Sequence, residues 1–329
     1  MGSAYTRSIA ASIVMTGFVL GWAGDSAAQL KGHYFPGFTG LQNGSQAPPS
    51  VSLLFPVYLY TTDEIKDDDG NTIELPEDAR VNVGFTGLGA MWVTRLKILG
   101  GNLGGSVVPI AYIKSRIEGN SLEVPGEWQF TDISVTPVQL GWHTSRADYV
   151  TGYTFFAPAG EWELGGDNNT GLGMWSHLFQ AGTTLRLDDQ RAWSLSSLGS
   201  YEIHSEKEET EIQVGDILTL EGGLARSWYK VEMVGERPEP KRIINLGLVY
   251  YAQFKVTEDT GPLLTPLLEG KEDRVFGVGL EGNVIFVPTG TVLGFRALPE
   301  FGARNRTQGW TFMFTFAQGV KSLAREGER

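Results

Sequence analysis

Residues able to do chemistry are few in this chain and poorly spaced for catalysis. The four histidines, His33, His143, His177 and His204, lie far apart, and none sits in the HExxH spacing that sets two metal ligands on one helix face. His204-Ser205-Glu206 echoes the opening of a zinc deaminase motif, but the sequence has no cysteine to complete it. The same absence removes disulfides, thiolate clusters and a cysteine nucleophile. No GxSxG turn occurs, and no serine stands in an evident relation to a histidine. Gly277-Val278-Gly279-Leu280-Glu281-Gly282 matches a dinucleotide fingerprint in letters only, because a strand pattern follows where a helix must open to hold pyrophosphate. The acidic run from Asp63 to Asn71 suggests calcium, yet a frame anchored on Gly70 puts Ile65 at the first ligand position and Pro76 where the closing glutamate belongs. A solvated loop, or at most a weak surface cation site, is what remains. The expectation is no catalytic residue, no metal and no cofactor.

A second set of residues is charged but solitary: Glu202, Glu221, Glu281, Arg296, Glu300 and Arg304. What they can do depends on the elements that carry them. From Ile243 to Phe254 one side reads Ile244, Leu246, Leu248, Tyr250, Ala252, Phe254 and the other Ile243, Asn245, Gly247, Val249, Tyr251, Gln253. The runs from Val275 to Phe286 and from Leu293 to Arg304 repeat this period of two, and each has one apolar face and one of glycines with isolated charges. Such runs exceed the ~5–6 residues of a soluble strand and match the ~9–11 residues of a strand tilted across a bilayer. Charged residues on the second face then meet water inside a closed wall, either bracing it by salt bridges or forming a constriction, because on the lipid side an arginine costs ~2–4 kcal/mol. Aromatic residues near run ends, among them Trp193, Tyr201 and Phe286, fit interfacial girdles.

Twelve strands are expected, near 51–60, 82–98, 103–116, 129–141, 147–156, 172–186, 192–204, 214–229, 242–255, 274–286, 291–304 and 309–316. Long polar connections at 61–81, 117–128, 157–171, 205–213 and 256–273 alternate with short ones, as extracellular loops alternate with periplasmic turns. Leu88 to Leu99 also reads as an amphipathic helix, and the connection 230–241 is long for a periplasmic turn. The fold class expected is therefore all-β, an antiparallel transmembrane barrel over 51–316. Trp310, Phe312, Phe314 and Phe316 stand on one side of the last strand. This pattern resembles the C-terminal signal by which the outer-membrane assembly machinery recognises barrels, although a polar tail, 317–329, follows it.

Upstream, Arg7 and the apolar run to Leu20 lead to Ser26-Ala27-Ala28, a secretory signal with cleavage expected after Ala28. The next stretch, 29–50, is rich in Gly, Pro and aromatics and is expected either to plug the lumen or to lie in the periplasm. Glycines number 43 in 329 residues, well above the usual ~7%. The net charge of −12 argues against a nucleic-acid partner.

Several segments carry a resemblance. His33-Tyr34-Phe35-Pro36-Gly37-Phe38-Thr39-Gly40, Gly152 to Gly160 with its Phe155-Phe156 pair, Asn168 to Gly173 with Gly182-Thr183-Thr184, Tyr201 to His204, and Tyr250 to Phe254 are similar to the outer-membrane proteins grouped as "putative meta-pathway of phenol degradation". The resemblance implies a transmembrane barrel of a Gram-negative outer membrane that admits hydrophobic or aromatic compounds. Outer-membrane lipids, the assembly machinery and such a solute are the partners it implies. Residues expected to make plug or loop contacts are His33, Tyr34, Phe35, Phe155, Phe156 and Trp162. Outer-membrane phospholipases of twelve strands use a Ser-His pair, so a membrane hydrolase is the rival reading. A structural or adhesive barrel with a closed lumen is a third.

Overall fold

The computed structural model describes residues 31–74, 79–118, 123–124, 127–163, 169–234, 237–262 and 273–323. The expected signal segment, 1–28, lies outside them. The strands are β1 (Ser50–Lys66), β2 (Thr72–Glu74), β3 (Arg80–Ile98), β4 (Gly101–Glu118), β5 (Glu123–Val124), β6 (Gln129–Phe130), β7 (Ile133–His143), β8 (Ala147–Ala157), β9 (Ser176–Arg186), β10 (Trp193–His204), β11 (Ile217–Val234), β12 (Arg237–Lys255), β13 (Arg274–Phe286), β14 (Thr291–Arg304) and β15 (Arg306–Ser322). Each long strand pairs antiparallel with the next long one, and β15 pairs back onto β1 from Ser50↔Ser322 to Lys66↔Arg306. Setting aside the short pieces β2, β5 and β6, the wall is a closed barrel of twelve strands with no free edge. Closure is what hydrocarbon demands, since no water is there to satisfy an unpaired N–H or C=O.

Burial is inverted relative to a soluble protein. Side chains such as Leu246, Leu248, Leu280 and Phe301 are 50–61% exposed, whereas Thr184, Ser196, Glu202 and Glu221 are 0–1% exposed. Isolated apolar exposure is ordinary, but here whole strand faces are apolar outside and polar within, the pattern that oil outside requires. The twelve expected strands all occur. Leu88 to Leu99 belongs to a strand and its turn, not a helix: Leu99 and Gly100 both adopt positive φ, 50° and 82°, and close a tight hairpin of the kind that matches strand twist. The described residues of the connection 230–241 are also strand, because β11 and β12 pair through Val234↔Arg237. Beyond Phe316, β15 continues to Ser322, so the first residues of the expected tail are wall; residues 324–329 lie outside the described set.

Arg304 corrects the expected register. Glu300 faces inward at 9% exposure, but Gly302 takes φ +63°, Ala303 becomes the buried residue at 2%, and Arg304 is exposed. One residue in the left-handed region reverses the alternation over the last residues of β14, so Ala303 and Arg304 take each other's expected sides. Arg306, absent from the sequence-based set, is turned inward and bonds Gln253 and Asp273 at 2.9 and 3.1 Å.

Candidate functional site

The barrel is occupied by its own N-terminal segment. Residues 31–49 run down the lumen from the end bearing the long loops to the end bearing the short turns, where Pro49 C=O accepts Leu323 N–H and β1 begins. The segment contains two prolines at 48–49 and a third at 36, which limit regular backbone bonding, so its donors and acceptors are met by the wall. Glu202 accepts the His33 and Tyr34 N–H groups at 2.7 and 3.3 Å. Glu221 accepts the Gly37 N–H at 2.9 Å and the hydroxyls of Tyr34 and Thr39. Glu281 accepts the Leu41 N–H at 3.1 Å. Arg296 donates to the Gly37 and Phe38 carbonyls at 3.0 and 2.9 Å and pairs with Glu281 at 3.1 Å. Lower down, Ser45 donates to Asp148 and Gln46 to Gln139 at 2.7 and 3.2 Å.

The glycines of this segment follow from that proximity. A Cβ on Gly40 would collide with the Glu281 carboxylate, and one on Gly44 with the backbone of Thr183. Five of the six charges singled out in the sequence are thus inside, and Glu202, Glu221, Glu281 and Arg296 grip the segment. Glu300 accepts instead from the hydroxyls of Tyr60 and Tyr251 at 2.7 and 2.8 Å and from Gly309 N–H at 2.8 Å, bracing β1, β12 and β15. Neither an open constriction nor a wall brace alone describes them. A backbone held by carboxylates along its length was not legible from strand parity, which gives the face of a side chain but not its partner.

At the long-loop end the segment is latched. His33 lies with Nδ1 2.6 Å from Ser176 Oγ and Nε2 2.8 Å from Asp132 Oδ2, and its ring stacks 4.9 Å from Phe156. Asp132 also accepts N–H groups from Ala159, Gly160 and Leu172 at 2.8–2.9 Å, tying both described ends of the β8–β9 loop to the same point. Burial alone would raise the Asp132 carboxyl, but the hydrogen bond and charge of His33 and these backbone donors hold it below the ordinary aspartate range. Ser176, His33 and Asp132 therefore form a bonded chain in the order of a hydrolase triad, a relation that the spacing of serines and histidines did not reveal. Ser176 has no exposed surface, and the Glu202 carboxylate stands 3.9 Å from the same His33 nitrogen, where a hydrolase needs donors to hold an oxyanion. The arrangement is built to fasten.

The remaining expected contact residues divide. Tyr34 and Phe35 are on the segment, and Phe35 packs 4.9 and 5.4 Å from the rings of Tyr58 and Phe85. Phe156 meets His33, but Phe155 is on the outer side with Tyr153 and Trp175, ring centroids 6.4 and 6.0 Å away, because adjacent strand residues point to opposite faces. Trp162 is in a loop, where Lys207 Nζ lies 3.9 Å from its ring. Trp310, Phe312, Phe314 and Phe316 line the outer side of β15, with the Phe314 ring tilted against that of Phe295 at 4.7 Å.

The lumen has two unlike sides. Tyr58 and Phe85 face inward, and cross-strand partners share a face, so β1, β3, β4, β7 and β8 present Leu54, Tyr58, Phe85, Met91, Ile113, Thr136 and Phe156. Across the middle of these strands no charged side chain among the described residues faces the lumen. Opposite them, β10, β11, β13 and β14 carry the carboxylates and the arginine that hold the segment.

This is a transmembrane β-barrel of the outer-membrane type, with a lumen part-filled by its own chain. The protein belongs to the family described as "Putative MetA-pathway of phenol degradation", whose model matches residues 62–316. Among solved structures, the COG4313 outer membrane channel from Pseudomonas putida F1 is similar at 13% identity and TM-score 0.66, over 88% of this chain and 100% of that one. The beta domain of the Bordetella autotransporter BrkA matches at 9% identity and TM-score 0.44, over 82% and 99%. A Pseudomonas aeruginosa FadL homologue matches at 10% and 0.35, over 93% and 98%. No curated protein matches the sequence.

Proposed function

We propose that the protein is a passive outer-membrane channel for small hydrophobic or aromatic compounds. The observation that carries this reading is the lumen side from Leu54 to Phe156, uncharged across the middle of its strands, which faces the N-terminal segment and offers it rings and aliphatic groups. A solute reaches it from the long-loop end and moves down its own gradient, so no energy coupling is needed; the expected entry between loops 157–171 and 256–273 falls partly outside the described residues. The family description, which names phenol degradation, supports an aromatic solute, and the long loops then face the cell exterior. Export with a cleaved signal over 1–28 and assembly guided by Trp310, Phe312, Phe314 and Phe316 belong to the same reading, as does the absence of catalysis.

Purified protein in liposomes tests it. Influx of a neutral single-ring solute such as benzyl alcohol, measured by stopped flow against protein-free liposomes, should rise with protein content, while a disaccharide of similar polarity to water stays out. Equal tightness to both would favour a closed structural barrel. Turnover of phospholipid or ester that vanishes in Ser176→Ala would favour the hydrolase.

A further inference from the structure

The lumen changes character at its short-turn end. A cavity of about 310 Å³ opens there between the N-terminal segment and β9, β11, β12 and β13. Its polar lining is Arg186 and Arg191, with Gln42 from the segment, Gln190 and Asn245; Ile243, Ile285 and Tyr229 supply the rest. No carboxylate lines it, although carboxylates dominate the lumen above. Arg186 is paired with Asp148 at 2.8 Å, which spends much of its charge. Arg191 forms no ion pair among the described residues; its Nη2 donates only to the Ser145 carbonyl, at 3.3 Å.

The backbone of Arg191 adds an independent observation. It adopts φ +55° in the turn between β9 and β10, a conformation that glycine takes at no steric cost and a long side chain does not. Tyr229 Oη donates to the Arg191 carbonyl at 2.8 Å and Arg191 N–H to Asp188 C=O at 3.0 Å, so this strained residue is held in place from both sides. A guanidinium is kept at the cavity rim where the backbone alone would favour glycine.

We propose that this cavity binds a small ring-bearing carboxylate, with the Arg191 guanidinium on the carboxylate and Ile243, Ile285 and Tyr229 against the ring. Arginine presents its donors as a planar fork that matches a carboxylate, and the amide groups of Gln42 and Asn245 extend the polar side. The volume stands at the lower end of the ~300–1,000 Å³ usual for ligand sites, which suits one ring and not a long acyl chain. The proposal deepens the channel reading and rests on it: the cavity stands at the short-turn end, where a solute leaves the lumen, and it favours the acids among aromatic solutes.

The test uses the full mature protein in detergent and ligand-observed NMR with three probes, benzoate, benzyl alcohol and inorganic phosphate. Benzoate should bind, and Arg191→Gly should weaken it roughly tenfold, equivalent to about 1.4 kcal/mol. Arg191→Gly removes the side chain while easing the backbone, so its thermal stability should equal or exceed that of the wild type, and Arg191→Lys should recover binding only in part. Benzyl alcohol or phosphate binding as tightly as benzoate, or Arg191→Gly binding benzoate unchanged, would overturn the site. Liposome influx is scored separately. Benzoate binding that depends on Arg191 in a barrel tight to every solute would uphold the site and sink the transport reading.

Discussion

Two residues decide whether the N-terminal segment stays seated, and they act at opposite ends of its charged contacts. Asp132 is held below the ordinary aspartate range by burial outweighed by His33 and by backbone donors. A carboxyl depressed on folding contributes stability that is complete above its unfolded value of ~3.9 and is lost as pH falls through the lower folded value. The segment should therefore stay latched at neutral pH and loosen only in strong acid. A spin label on Phe38→Cys, in a chain with no native cysteine, should show slow motion at pH 6 and faster motion only as pH falls below the ordinary aspartate range, and Asp132→Asn should be mobile at both. Lower in the lumen, Arg296→Ala would leave Glu281 without its partner at 3.1 Å and two segment carbonyls without donors. Breaking a buried pair in this way costs ~3–5 kcal/mol, so single-channel current should rise. A current identical to the wild type would show that Arg296 does not hold the segment.

The strand between Glu300 and Arg306 shows how an element sets the orientation of the residues it carries. Alternation up to Glu300 turns even-numbered residues inward; Gly302 in the left-handed region then moves Ala303 to the inside and Arg304 to the outside, and the turn at Asn305 brings Arg306 in. A Cβ on Gly302 would stand 3.0 Å from the Phe276 ring, and a left-handed alanine costs ~1–2 kcal/mol. Gly302→Ala should accordingly lower the unfolding midpoint by a few degrees. A midpoint equal to the wild type would mean that the bend is dispensable. The turn at Asn305, φ +50°, follows directly and returns the chain as β15, whose pairing with β1 closes the barrel.

At the scale of the molecule, the lumen is a channel only to the extent that residues 31–49 leave room beside them. Their backbone bonds concentrate on β10, β11, β13 and β14, while side chains reach across to the other side at three heights: His33 to Phe156, Phe35 to Tyr58 and Phe85, and Ser45 and Gln46 to Asp148 and Gln139. Deleting residues 31–48 should leave a folded barrel, because the wall pairs all around without them. It should also convert small, selective currents into large, unselective ones in planar bilayers. A deletion protein with unchanged conductance would mean that the obstruction lies elsewhere, and one that fails to fold would mean that the segment is part of the core.

The sequence alone determined the architecture, because a wall between oil and water must alternate, and alternation is a local property read two residues at a time. Leu246 and Asn245 announce their faces without knowledge of the rest of the chain. Twelve runs, their loop lengths and the inward placing of Glu202, Glu221, Glu281, Arg296 and Glu300 followed from that rule. Only the tertiary structure decided what those charges meet. His33 is 99 residues from Asp132 and 169 from Glu202, and no spacing rule connects a backbone N–H near the start of the chain to a carboxylate on the far wall. Arg304 escaped for a related reason: a single glycine adopts extended or left-handed backbone with equal ease, and the choice between them is made by the strands packed on either side.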